Sequence, residues 1–195
     1  EQFGLWQKVY PCCASAHRPL DAVLLLLNEN EISCENIVSV EAIVSEVAAQ
    51  NLSYPVPKDA MQARFSAPYL LASAIIDGQL TLDAFEPTAI KRSRVQNLLT
   101  KITMAADPHQ PGNESVELLP QSSSVNIHLS DHRKISKSVV YPRGHPKQAM
   151  NEVELAHKFV SCVHRTLSKT QTNLVLELML NVRNLESIAE LTDKL

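Results

Sequence analysis

The sequence predicts an α+β fold in which a small antiparallel sheet packs with helices. Apolar residues recur at helical spacing in several segments, while Val38–Val44 and Val125–Leu129 alternate apolar with polar. The order reads helix, strand, helices, strands, helices. Strands that come in runs, not in strict alternation with helices, favour α+β with an antiparallel sheet. No internal repeat breaks residues 1–195 into parts, so a single domain is expected.

Each element has its own signal. Leu20, Val23, Leu24 and Leu27 define a helix from about Ser15 to Asn28, with Pro19 tolerated in its first turn. Val38, Val40, Ala42 and Val44 alternate with Ser39, Glu41 and Ser45, the period of a half-buried strand. Residues 51–60, with Pro55 and Pro57, read as a loop. Ser66-Ala67-Pro68 reads as the cap and first turn of a helix that stops at Asp77-Gly78. A further helix is expected on Val95, Leu98, Leu99 and Ile102. Residues 107–122 are rich in Pro, Gly, Asn and Ser and read as an exposed connection. Val125, Ile127 and Leu129, then Ser130-Asp131, then a strand from about Lys134 to Tyr141 make a hairpin. Pro142–Ala149 is a loop. Two helical stripes follow, Ala156, Phe159, Val160 and Val163, then Val175, Leu178, Met179 and Val182.

Composition excludes several classes. With 45% hydrophobic and 20% charged residues and a net charge of −3, disorder is not the main state. The longest strongly apolar run, Ala22–Leu27, falls far short of the ~20 residues of a membrane span. The slight negative charge argues against a nucleic-acid partner. Gly4, Gly78, Gly112 and Gly144 are too scattered for a dinucleotide fingerprint or a phosphate-cradling loop. Cys12, Cys13, Cys34 and Cys162 form no C-x-x-C, and the adjacent pair forms no ordinary disulfide. A reducing, cytoplasmic setting is expected. The chain opens on Glu1 and not on Met, as a processed product or a domain cut from something longer would.

Three kinds of chemistry are open. For metal, His157 and His164 share a helix face with Glu154 one turn before, but no second Glu-x-x-His completes a di-iron set. No metal is expected. For a thiolate, Cys12 and Cys13 precede a helix whose N-terminal dipole lowers a thiol pKa, and His17 follows four residues after Cys13. Buried cysteine as a small hydrophobe is the plainer alternative. For acid–base work, Lys8, Tyr10, His17 and Arg18 cluster around a helix start, with Arg64 and Tyr69 elsewhere. Such a set suits a polycarboxylate, with cations on the carboxylates and His or Lys moving a proton. The basic excess Arg133, Lys134, Lys137, Arg143 and Lys147, with His132 and His145, is either a solvated face or part of an anion subsite.

Four stretches, in order, resemble the C-terminal domain of the MmgE/PrpD family. They are Lys8-Val9-Tyr10-Pro11-Cys12-Cys13 through His17-Arg18-Pro19, then Ala63-Arg64-Phe65-Ser66-Ala67-Pro68-Tyr69 leading to Asp77-Gly78. Leu129–Asp131 follows, with His132 where the family hairpin has Gly. Last comes Tyr141-Pro142-Arg143-Gly144-His145-Pro146 with Glu154-Leu155 and Lys158-Phe159. The resemblance implies a lid domain of enzymes such as 2-methylcitrate dehydratase and cis-aconitate decarboxylase, which act on small polycarboxylates without metal or cofactor. In such enzymes the site lies between this lid and a large helical N-terminal domain, which this chain lacks.

Carried over by position, the resemblance makes Lys8, His17 and Tyr69 the catalytic residues; Arg18, Arg64, Cys13 and His145 are expected to bind substrate. The expected ligand is a di- or tricarboxylate, and the full-length form is expected to be a homodimer. The departures count: cis-aconitate decarboxylases carry His where this sequence has Cys13, and methylcitrate dehydratases carry one where it has Ser15. The expected function is a lyase- or isomerase-type lid domain, inactive alone. A non-catalytic binding or assembly module is the alternative.

Overall fold

A computed structural model describes residues 5–109 and 121–195. Most of the expected connection at 107–122 lies outside the described residues. The chain falls into two compact units, residues 1–149 and 150–195.

The first unit begins its regular structure with a 3-10 turn at Ala14–Ala16 that runs into α1, His17–Glu29. Pro19 sits in the first turn of α1, where its missing N–H costs nothing. Leu20, Val23 and Leu26 are buried on its inner face, and so is Asp21. Strand β1 is Ile37–Val44. Its register against the later hairpin jumps between Ile37 and Ser39. That bulge makes Val38 the extra residue and leaves it 56% exposed, where strict alternation would bury it.

Four helices follow. They are α2 (Glu46–Asn51), α3 (Ala60–Ala63), α4 (Ala67–Asp77) and the short α5 (Pro87–Ile90). The expected loop at 51–60 survives only between α2 and α3. Helix α4 starts and stops as its sequence dictates. The Ser66 hydroxyl accepts from the Tyr69 N–H, Pro68 sits in the first turn, and Gly78 ends it at φ 66°.

Helix α6 covers Ser93–Leu99, and strand β2 covers Ile102–Ala106. Ile102 therefore belongs to a strand, not to the expected helix. β2 runs parallel to β1, with Val40 opposite Ile102. Parallel neighbours need a long crossover, and α2 to α6 supply it.

β3 (Ser123–Leu129) and β4 (Lys134–Val139) form the expected hairpin. At its turn His132 takes a positive φ of 67°. This is the position where glycine serves most easily. The sheet order is β2-β1-β3-β4, so three strands are antiparallel and one edge is parallel. α1 packs on β3, β4 and α4, and α4 packs on α6 and β2. The inner residues Val40, Ala42, Val125, Ile127 and Leu129 meet these helices in one core. On the outer face, Ser136 donates to Asn126 at 2.7 Å and Asn126 donates to Glu41 at 3.1 Å, an exposed polar ladder across three strands.

The second unit holds α7 (Glu152–Val163), α8 (Lys169–Leu180) and α9 (Ala189–Thr192). α7 opens on a capping box of Asn151 and Glu154, and α8 opens on one of Ser168 and Gln171. Val175 and Thr172 are buried in α8, whereas α7 buries no residue completely. No helix among the described residues is long and apolar enough to cross a membrane.

Candidate functional site

The segment before α1 has no regular structure, yet it is fixed. Gln7 N–H donates to the Gly144 carbonyl at 2.9 Å. Gly144 has φ +84°, and a Cβ there would fall 1.9 Å from the Gln7 oxygen. Only glycine allows this approach. The loop carrying it is closed by Gly144 N to Gln148 O and by His145 N to Pro142 O.

Beneath this contact lies a buried knot. The Tyr10 hydroxyl donates to Asp21 at 2.5 Å, and the Arg143 backbone N–H donates to the other Asp21 oxygen at 2.5 Å. Arg143 also donates a guanidinium N–H to the Tyr10 oxygen at 2.9 Å. The His17 ring is buried and meets Tyr10 edge-on, 5.1 Å between centroids. Burial and the Asp21 carboxylate push the Tyr10 phenol well above its ordinary range. Tyr10 is therefore a neutral donor.

Two groups of cations flank the knot. In the first, Lys8 donates to the Cys12 carbonyl at 3.2 Å, and Cys13 N–H donates to the Arg64 carbonyl at 3.1 Å. The Arg64 guanidinium lies 4.6 Å from the centre of the Phe85 ring. Burial pushes the Cys12 thiol up to about 12, against the pull of Lys8 and Arg64. That is opposite to an activated thiolate. In the second group, Arg18 donates from Nε to Val140 O at 2.8 Å and lies over Trp6, 5.6 Å to the centroid. His145 stands between Trp6 and Tyr141, at 4.5 and 4.7 Å. The Lys147 ammonium donates to the Tyr141 hydroxyl at 3.0 Å.

Arginine partners separate the structural cations from the rest. Of the six arginines in residues 1–149, Arg92, Arg94, Arg133 and Arg143 each meet a carboxylate. Arg18 and Arg64 meet none among the described residues and rest on aromatic faces instead. The basic excess read from the sequence divides in the same way. Arg133 is held by Asp131, Lys137 by Glu29 and Arg143 by Asp21, while Lys147 meets no carboxylate among the described residues.

The profile of the MmgE/PrpD C-terminal domain matches residues 10–182, nearly the whole chain. The chain belongs to the MmgE/PrpD family. Its curated relatives include the cis-aconitate decarboxylase of Aspergillus terreus, 24% identical over 206 residues, 99% of this chain and 41% of that protein. The Mus musculus enzyme of that name is 23% identical over 154 residues, covering 78% of this chain and 31% of the relative. The Homo sapiens one is 23% identical over 143 residues, covering 73% and 29%. The chain thus spans well under half the length of these relatives.

In this MmgE/PrpD domain the seven residues expected from sequence do not form one cluster. Lys8, Cys13 and Arg64 come together, and Arg18 joins His145. His17 supports Tyr10 from beneath. Tyr69 is fully buried, its hydroxyl donating to the Ala84 carbonyl, and its ring lies 6.4 Å from Phe85. Tyr69 thereby backs the ring on which Arg64 rests. Of the three expected catalytic residues, only Lys8 is exposed.

A pocket of about 620 Å³ lies elsewhere, lined by Asp77, Asp83, Glu86 and Arg92 among others. None of the seven lines it. Arg92 is bound by both terminal nitrogens to Asp77, at 2.7 and 2.6 Å. Three carboxylates around one engaged arginine do not suit a polyanion.

Sequence reasoning gave no site role to Asp21 and named Arg143 only within the basic excess. Asp21 had one signal, a carboxylate inside the apolar stripe of α1. No group of three His, Cys, Asp or Glu fit to hold a metal occurs among the described residues.

Proposed function

We propose that this chain is the C-terminal lid domain of a cofactor-independent lyase or isomerase acting on a small di- or tricarboxylate. The match through both units supports reading residues 1–195 as one domain of a longer enzyme. The observation that carries the proposal is the pair Arg18 and Arg64. Both are left without carboxylates of their own, beside a segment that carries Lys8 and Cys13. An arginine fork matches a ligand carboxylate in two parallel hydrogen bonds.

In this reading Lys8 offsets carboxylate charge or moves a proton, and Arg18, Arg64, Cys13 and His145 hold the substrate. His17 and Tyr69 act through their neighbours, His17 on Tyr10 and Tyr69 on Phe85. The acid–base partner comes from a helical domain outside this chain. Such help is worth ~10²–10⁴-fold in rate, so the lid alone turns over little. The burial of His17 and Tyr69 favours a second reading, a binding module that keeps the cations and performs no chemistry.

The test compares this chain with the same chain extended upstream, on a panel of di- and tricarboxylates followed by NMR. Turnover only in the longer protein supports the lid. Turnover by the short chain overturns the interdomain site. Binding without turnover in both moves the assignment to the second reading.

A further inference from the structure

The loop at 141–148 and the segment before α1 bring three donors to one place, and no carboxylate among the described residues pairs with them. Arg18 is half-buried, and burial holds its guanidinium below the usual arginine value. Its Nε is taken by Val140 O, and its two terminal nitrogens have no protein acceptor among the described residues. A partly desolvated cation without an anion is unfavourable unless something supplies one. Lys147 is exposed and held over the Tyr141 ring at 4.6 Å. The nearby acid, Asp21, is occupied by Tyr10 and Arg143.

His145 completes the set through its tautomer. Its Nδ1 accepts the Lys147 backbone N–H at 3.0 Å. A neutral imidazole that accepts at Nδ1 carries its proton at Nε2 and donates there. Burial, then the charges of Arg18 and Lys147, lower its pKa, so the ring stays neutral near pH 7. Trp6 and Tyr141 on either side hold its plane.

We propose that Arg18, His145 and Lys147 form an oxyanion subsite, with His145 donating from Nε2, and that one carboxylate of the substrate occupies it. The carboxylate assignment rests on the function proposed above; the subsite does not. Lys147 becomes a specificity residue in this scheme. It distinguishes a ligand with a carboxylate at this end from one without.

The experiment is a ¹H–¹⁵N titration of the whole 195-residue chain with tricarballylate, and separately with inorganic phosphate, at constant ionic strength. The subsite predicts an Nε2–H tautomer for His145 before ligand is added. It predicts saturable shifts at the His145 ring, Arg18 Nε and the Trp6 indole. Lys147→Met, an exposed position that leaves the fold intact, should weaken binding at least about threefold, and Arg18→Lys about tenfold. Arg94→Lys, at an exposed arginine paired with Glu35, should leave the His145 shifts in place. An Nδ1–H tautomer, or no saturable shift at Arg18 and His145 with either anion, overturns the subsite. If tricarballylate then moves only Lys8 and Arg64, the proposed function stands while the subsite falls. Phosphate binding here without tricarballylate binding supports the subsite and overturns the polycarboxylate.

Discussion

Asp21→Asn tests whether the buried knot holds the site together. The carboxylate is 4% exposed and receives the Tyr10 hydroxyl and the Arg143 N–H, each at 2.5 Å, with Arg143 Nε at 3.6 Å. An asparagine of the same shape has one accepting oxygen. If that oxygen keeps the Arg143 N–H, its amide group faces the Tyr10 oxygen, which already accepts from Arg143. One buried donor is then left poorly paired, at a cost of about 1–3 kcal/mol. The lost charge pair adds less, about 1 kcal/mol at most, because the Arg143 side chain is 39% exposed. The total is about 1–4 kcal/mol. At about 2–4 °C per kcal/mol for a chain of this size, the melting midpoint falls by on the order of 10 °C. The single tryptophan, Trp6, leans on His145 in the same loop, so its fluorescence reports the knot directly, with far-ultraviolet circular dichroism as the global measure. Tyr10→Phe should cost about 1 kcal/mol and couple to Asp21→Asn in a double-mutant cycle by at least about 1 kcal/mol. A midpoint for Asp21→Asn within a degree of the parent, or strict additivity of the two changes, would refute this account.

Three further outcomes follow from the same geometry. The Cys12 thiol, raised by burial from 9.0 to about 12, should resist Ellman's reagent at pH 8 while exposed Cys162 reacts. A raised folded-state pKa gives stability that is complete below pH 9.0 and is lost as pH rises toward about 12. Cys12→Ala should flatten that alkaline slope, and an unchanged slope would contradict the burial argument. Gly144→Ala should cost more than Gly78→Ala, though both sit at positive φ, because only the first drives a Cβ into backbone. Gly78→Ala should cost about 1 kcal/mol and Gly144→Ala roughly twice that or more, with the Trp6 emission changed only in the latter. Equal midpoints in urea would argue against the close approach. His132→Gly should stabilise the hairpin by roughly 0.5–1 kcal/mol, since a non-glycine residue pays for φ 67° there. A destabilised variant would show that the imidazole does more than fill the turn.

What the sequence revealed depended on how local the cause was. Helix α4 was fully legible because Ser66, Pro68 and Gly78 act within their own turns. β2 was not. It buries Ile102 alone and is held by backbone pairing to β1, so it shows no alternation, and Ile102 stands three residues after Leu99 as a helix would place it. Val38 was misread for a related reason, since a bulge leaves no mark on an apolar pattern. Lys8, Arg18, Arg64 and His145 could be picked out as residue types suited to anions. That Lys8 and Cys13 share one group with Arg64, while Arg18 joins His145, depends on contacts between distant segments. Tyr69 was expected among the catalytic residues from the resemblance alone, and its buried hydroxyl donates to the Ala84 carbonyl.

The contact between Gln7 and Gly144 also dictates an order of events during synthesis. Tyr10 and Arg143 are separated by 133 positions, and Glu41 and Asn126 in the centre of the sheet by 85. Contacts this distant along the chain slow folding, because loop closure precedes any gain. On the ribosome the stretch from Lys8 to Cys13 emerges before residues 141–148, so Tyr10 meets Asp21 early and Arg143 only late. A ribosome stalled before residue 140 should therefore hold a chain in which Cys13 and Arg64 can already meet, while Arg18 and Tyr10 still lack Val140 and Arg143.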